Sequence, residues 1–89
     1  MVTVNFGQAL EALKQGKRVA RHGWNGKNML VLLVAGSKFT TNREPLLSAL
    51  GEGVEVEYRP HLDLRAADGT IGVWTPSTSD LLANDWYVV

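Results

Sequence analysis

The stretch NFGQALEALKQG, residues 5–16, runs directly into KRVARHGWNGKNMLVLLVA, residues 17–35. The first half has the signature of a helix. Asn5 is placed to accept from the backbone three residues on, and Gln8 to return the bond, which is a capping box. Phe6, Ala9, Leu10 and Leu13 fall at i, i+3, i+4 and i+7, one apolar stripe that predicts a helix packed on a core. Gly16 supplies the stop, and Lys14 and Lys17 suit the negative end of the helix dipole. The second half changes period. Lys17 to His22, with Val19 and Ala20 inside it, reads as a short strand. Met29 to Ala35 is β-rich, bounded by turn residues, and reads as a strand buried on both faces. Gly23-Trp24-Asn25-Gly26 lies between them, and its Asn-Gly pair predicts a turn that uses positive φ. A helix followed by a hairpin sets the class as α+β.

Working outward, Gly36 to Asn42 reads as polar and irregular, with Phe39 as an anchor. Glu44 to Leu50 predicts a short helix with Pro45 near its first turn, ended by Gly51 and Gly53. Val54 to Tyr58 alternates apolar and acidic residues, the period of a half-buried strand, and Arg59-Pro60 interrupts it. His61 to Arg65 alternates again, Asp68-Gly69 marks a hairpin turn, and Thr70 to Trp74 returns. Thr75 to Asp80 is a capping segment, Leu81 to Ala83 fit one or two helical turns, and Asp85 to Val89 forms a last strand. The sum is a small antiparallel sheet with one N-terminal helix and two short helices, in a single domain over residues 1–89.

Composition removes several function classes. Nine basic residues cancel nine acidic ones, whereas a general nucleic-acid binder carries a positive excess to neutralise phosphates. Zero cysteines exclude disulfides, thiolate metal sites and thiol nucleophiles, and favour a reducing cytoplasm. The two histidines, His22 and His61, are too few for a histidine zinc site, so neither a metal nor a cofactor is expected. The start MVTVNFG lacks the basic end and apolar core of a signal peptide. The longest apolar run, Met29 to Ala35, is far short of the roughly 20 residues that cross a bilayer, so no membrane association is expected.

No catalytic constellation is visible in the sequence: there is no Gly-rich phosphate loop and no nucleophile elbow. His61 and Asp63 share a strand face, either as an acid–base pair or as a structural one. The three tryptophans carry more information. Trp86 reads as a core residue. Trp24 and Trp74 lie in connections, where a rigid aromatic either stacks on a planar ligand or caps a thin core. Arg21 and Arg59 offer planar donor forks suited to phosphate. Asn25, Ser77, Ser79 and Asp80 supply groups that fit base or ribose edges, and the backbone amides of Ser77 to Asp80 suit either an anion or helix capping.

The joint order of short pieces resembles a known family. These pieces are Asn5-Phe6-Gly7, Ala9 to Lys14, Gly16-Lys17, Val19-Ala20-Arg21, Gly23-Trp24-Asn25-Gly26, Tyr58-Arg59-Pro60-His61, Ala67 to Ile71, Trp74, Thr78 to Ala83 and Asp85-Trp86. Together they are similar to the phage and prophage Thoeris anti-defence two family. The resemblance implies a non-enzymatic sponge that binds a cyclic ADP-ribose isomer made by a TIR-domain enzyme, with cyclic oligonucleotides held at a separate site in some members. It also implies a homotetramer built from dimers, with pockets between protomers, working in the cytoplasm of an infected or lysogenic bacterium. Carried over residue by residue, it assigns ligand binding to Trp24, Trp74 and Asn25, and matches Arg59, His61, Ser77, Ser79 and Asp80 to polar motifs. Thr78 stands where the family often has glutamine. Two rival functions are an enzyme that degrades the same signal and a phage nucleic-acid or virion interaction module. The strands Met29 to Val34 and Trp86 to Val89 both need cover, which independently predicts association of copies.

Overall fold

The computed structural model describes residues 2–89. In chain order the elements are α1 (Phe6–Lys14), β1 (Val19–Arg21), β2 (Leu30–Val34), β3 (Ser37–Thr40), α2 (Leu46–Leu50), β4 (Glu55–Tyr58), β5 (His61–Arg65), β6 (Ile71–Val73), α3 (Thr78–Leu82) and β7 (Trp86–Val88). The α+β class and the antiparallel strand pairing agree with the sequence. Both ends of α1 follow from local chemistry. Asn5 Oδ1 accepts from the Gln8 amide at 2.9 Å, and the Asn5 amide donates to Gln8 Oε1 at 3.1 Å. At the other end Gly16 sits at φ 86°, its amide donates to the Leu13 carbonyl, and the Lys17 amide donates to that of Ala12. Those two bonds make a Schellman motif, and the left-handed φ is why glycine stands there.

The main sheet has the order β6-β5-β2-β1-β7, antiparallel throughout. Its two faces differ. Val19, Val31 and Trp86 point toward α1 and bury completely with Ala9 and Leu13. Phe6, Trp24 and Trp74 complete this side as an aromatic cluster around Trp86, with ring centroids 5.3, 5.3 and 5.9 Å from it. The Trp24–Trp86 and Trp74–Trp86 contacts are edge-to-face, the arrangement the ring quadrupoles favour. The other face carries no helix. The ladders set Ala20 beside Tyr87, Leu30 beside Arg65, and Arg65 beside Ile71. Extending the β1–β2 register by one residue from Val19 opposite Val31 sets Ala20 beside Leu30, so one row crosses all five strands. On this face Ile71 is 59% exposed and Val73 75%, values that mark it as bare.

Three expectations are corrected. First, β2 is not buried on both faces: only Val31 is fully enclosed, and Leu33 lies 37% exposed beyond the reach of α1. Second, Ser37 to Thr40, expected to be irregular, forms β3 and pairs with β4 as a separate two-stranded sheet, with Phe39 opposite Val56. Pro60 separates β4 from β5, so the two strands enter different sheets. Strands β3 and β4, with α2 between them, form an arm beside the main body. The radius of gyration is 16.0 Å, against about 12 Å for a compact chain of this length. Within the arm Thr41 is buried; its hydroxyl donates to the Gly51 carbonyl and accepts from the Val54 amide at 2.9 Å. Third, the Gly23 to Gly26 turn uses positive φ at neither Asn25 nor Gly26; the residue at φ 61° is Asn28. Gly26 is required for room instead, since a Cβ there would lie 2.6 Å from both Ala67 Cβ and Met29 Sδ.

Candidate functional site

Arg21, at the end of β1, is the centre of a polar cluster. Its Nε donates to Asp85 Oδ1 at 2.8 Å and its Nη1 to Asp80 Oδ1 at 2.7 Å. Trp24 Nε1 donates to the same Asp80 oxygen at 3.2 Å. Asp80 Oδ2 accepts from the Ser77 amide and hydroxyl, while the Asp80 amide donates to Ser77 Oγ, a second capping box that starts α3. Asp85 Oδ2 accepts from the Gly23 amide at 2.8 Å, which ties down the turn carrying Trp24. Residues 56 to 64 positions apart in sequence thus meet at one carboxylate pair and one guanidinium.

The charges follow from these bonds. Burial opposes ionisation of Asp80, but the hydrogen bonds from Arg21, Trp24 and Ser77 outweigh it and hold its carboxyl below the ordinary carboxylate range. The bond from Arg21 does the same for Asp85 against a smaller burial effect. Asp85 and Asp80 in turn raise Arg21. Carboxyls depressed in the folded state add stability that is complete above their unfolded value of about 3.9 and is lost progressively below it, as pH falls through their lower folded value. The thermal midpoint is therefore expected to hold steady from pH 7 to about 5 and to drop below about pH 4. Asp85→Asn should flatten that acid limb; an unchanged limb would remove this pair as its source.

Next to the cluster a cleft of about 550 Å³ opens on the bare side of the sheet and around the end of β1. Arg18, Arg21, His22, Trp24, Lys27 and Arg65 contribute to its walls, and no acidic side chain does. Tyr87, Leu30 and Arg65, which stand in one row across the sheet, also line it. His22 stacks on Tyr87 with ring centroids 4.3 Å apart, forming one wall. Trp24 serves both the core and the site, since it packs against Trp86 and also borders the cleft.

The sequence-assigned residues divide. Arg21, Trp24, Asp80 and Ser77 are joined by hydrogen bonds. Trp74 belongs to the aromatic cluster, 6.4 Å from Trp24, and does not border the cleft. Asn25 is exposed in the Trp24 turn, and Ser79 is exposed on α3. Arg59 and His61 lie at the far end of β5. His61 pairs with Val34 while Arg65 pairs with Leu30, four residues or about 13 Å along the strand. There His61 Nε2 lies 3.4 Å from Asp63 Oδ1, as a shared face requires. Arg18, His22, Lys27, Arg65 and Tyr87 were not singled out from the sequence. The alternation Arg18, Ala20, His22 does place two of these residues, Arg18 and His22, on one face, but Arg65 reaches the cleft only through strand register.

Known proteins match this chain along nearly its whole length. A family model described as "Thoeris anti-defense 2-like domain" matches residues 4–89. The chain belongs to that family. A relative from Bacillus phage SP01, named "Thoeris anti-defense 2", is 40% identical over 91 residues, covering 97% of this chain and 94% of the relative. The resemblance read from the sequence is thereby established, and membership in the Thoeris anti-defense 2-like family gives the chain a phage anti-defence role.

Proposed function

We propose that the protein sequesters a nucleotide-derived immune signal of the cyclic ADP-ribose type in the cytoplasm of the host bacterium, and that it does not turn the signal over. The observation that carries this reading is the cleft itself: a concave site with basic walls, no acidic side chain and an aromatic edge at Trp24. Such a surface suits a planar base joined to an anionic linkage. Membership of the Thoeris anti-defense 2-like family supports the same class of target. Asp80, fully occupied by Arg21, Trp24 and Ser77, holds Trp24 in place and contributes to binding through it. Copies associate over the bare sheet face, as a dimer of dimers, and a second protomer roofs the open cleft.

Incubating the protein with a cyclic ADP-ribose isomer, then denaturing it and chromatographing the supernatant, is expected to return the ligand intact. Conversion to a linear product at catalytic rates would sink the proposal. Trp24→Ala should weaken binding by about 1–3 kcal/mol, the worth of one base–aromatic stack, as read by calorimetry. Unaltered affinity in Trp24→Ala would move the pocket elsewhere. Light scattering should give a mass above that of one 9.8 kDa chain, and a monomer with full affinity would refute the shared pocket.

A further inference from the structure

We infer that Arg18, Lys27 and Arg65 form a phosphate clamp, so that the cleft selects a diphosphate-bearing ligand over an uncharged nucleoside. The inference rests on the reading of the cleft as a ligand site and adds which groups of the ligand it grips. Arg21 is already committed, with Asp80 at 2.7 Å and Asp85 at 2.8 Å. Among the described residues the other three cations make no ion pair, and no acidic side chain lines the cleft they share. The chain has nine acidic residues for nine basic ones, yet the cleft gathers Arg18, Arg21, Lys27 and Arg65 and no acidic side chain.

Their placement follows from the fold. Arg18 lies just before β1, its carbonyl accepting from the Val89 amide at 2.8 Å. Arg65 ends β5 opposite Leu30. Lys27 comes from the loop that carries Trp24. The three therefore approach the hollow from different directions. Arg65 and the Tyr87 wall are three strand spacings apart, about 14 Å, room for a phosphate linkage with a nucleoside beside it. Arginine forks grip phosphate oxygens in pairs, and lysine adds a point charge. An entering diphosphate gives these three like charges the counter-charge that no side chain of the cleft provides.

The test uses inorganic pyrophosphate, ADP-ribose and adenosine as probes in calorimetry on the full chain. Pyrophosphate is expected to bind, to compete with ADP-ribose, and to weaken as salt rises from 0.05 to about 0.5 M. Adenosine should compete at least tenfold more weakly than ADP-ribose. Arg65→Gln and Lys27→Gln should each weaken pyrophosphate and ADP-ribose about tenfold or more, the loss of one charge-assisted contact. Both side chains are exposed, so circular dichroism should be unchanged; should Arg65→Gln misfold, the loop variant Lys27→Gln carries the test alone. Trp24→Ala should weaken ADP-ribose and leave pyrophosphate unaffected. The clamp is overturned if the parent takes up no pyrophosphate at millimolar concentration, if adenosine competes as well as ADP-ribose, or if the glutamine variants bind ADP-ribose like the parent. In that last case a weakened Trp24→Ala keeps the cleft and discards only the clamp. If Trp24→Ala is also unchanged, the cleft reading falls with it.

Discussion

Trp86→Ala is expected to remove about 3–5 kcal/mol of stability, the largest loss from any single truncation in this chain. Trp86 is fully buried, and Phe6, Trp24 and Trp74 all pack on its indole. Its Nε1 donates to the Asp80 carbonyl at 2.9 Å, so truncation also leaves a half-buried acceptor unpaired. A chain of 89 residues has only about 4–13 kcal/mol in total. The variant should therefore be largely unfolded at 37 °C, or close to it, in urea titrations followed by circular dichroism. A midpoint close to that of the parent would mean the aromatic cluster is not the keystone of the core. Trp86→Phe, which keeps most of the apolar volume, should recover a good part of the loss.

Asp80→Ala should cost about 2–4 kcal/mol and disturb binding as well. The carboxylate is 14% exposed and Arg21 18%, so solvent screens this pair only partly. Removing Asp80 takes one partner from Arg21, frees Trp24 Nε1, and abolishes the side-chain half of the α3 capping box. Arg21 keeps Asp85, which limits the damage. Asp80→Asn, which retains an acceptor for Trp24 but drops the charge facing Arg21, is expected to fall between parent and alanine. Urea unfolding gives the stability change, and calorimetry with a cyclic ADP-ribose isomer gives the affinity. A change within about 0.5 kcal/mol for Asp80→Ala would show that neither the ion pair nor the cap is significant.

Local chemistry and the hairpins it makes were legible in the sequence, and long-range pairing was not. The ends of α1 were readable because Asn5, Gln8 and Gly16 act on backbone within five residues of themselves. The hairpin of β5 and β6 was readable because Asp68-Gly69 makes its own turn. Strand β3 was not, since Ser37-Lys38-Phe39-Thr40 has little apolar alternation and becomes a strand through its partner β4. Among site residues, arginine, tryptophan and aspartate were marked by type. That Arg21, Trp24 and Asp80 converge, while His61 lies at the other end of β5, depends on strand order and register. Asp80 shows the limit most clearly: its capping role was readable from Ser77, three residues away, whereas its hold on Trp24 spans 56 positions.

The arm of β3, α2 and β4 has a thermodynamic consequence. Two strands and one turn of helix bury too little to be secure in water without outside support. The arm's backbone should therefore open in sub-global excursions that leave the five-stranded body closed. Amide deuteration would show two populations: slow exchange at Val19, Val31 and Trp86, and faster exchange along Phe39 and Val56. If assembly brings a second chain against the arm, only the faster population slows. Protection at Val56 then serves as a gauge of association, read without separating the assembled states.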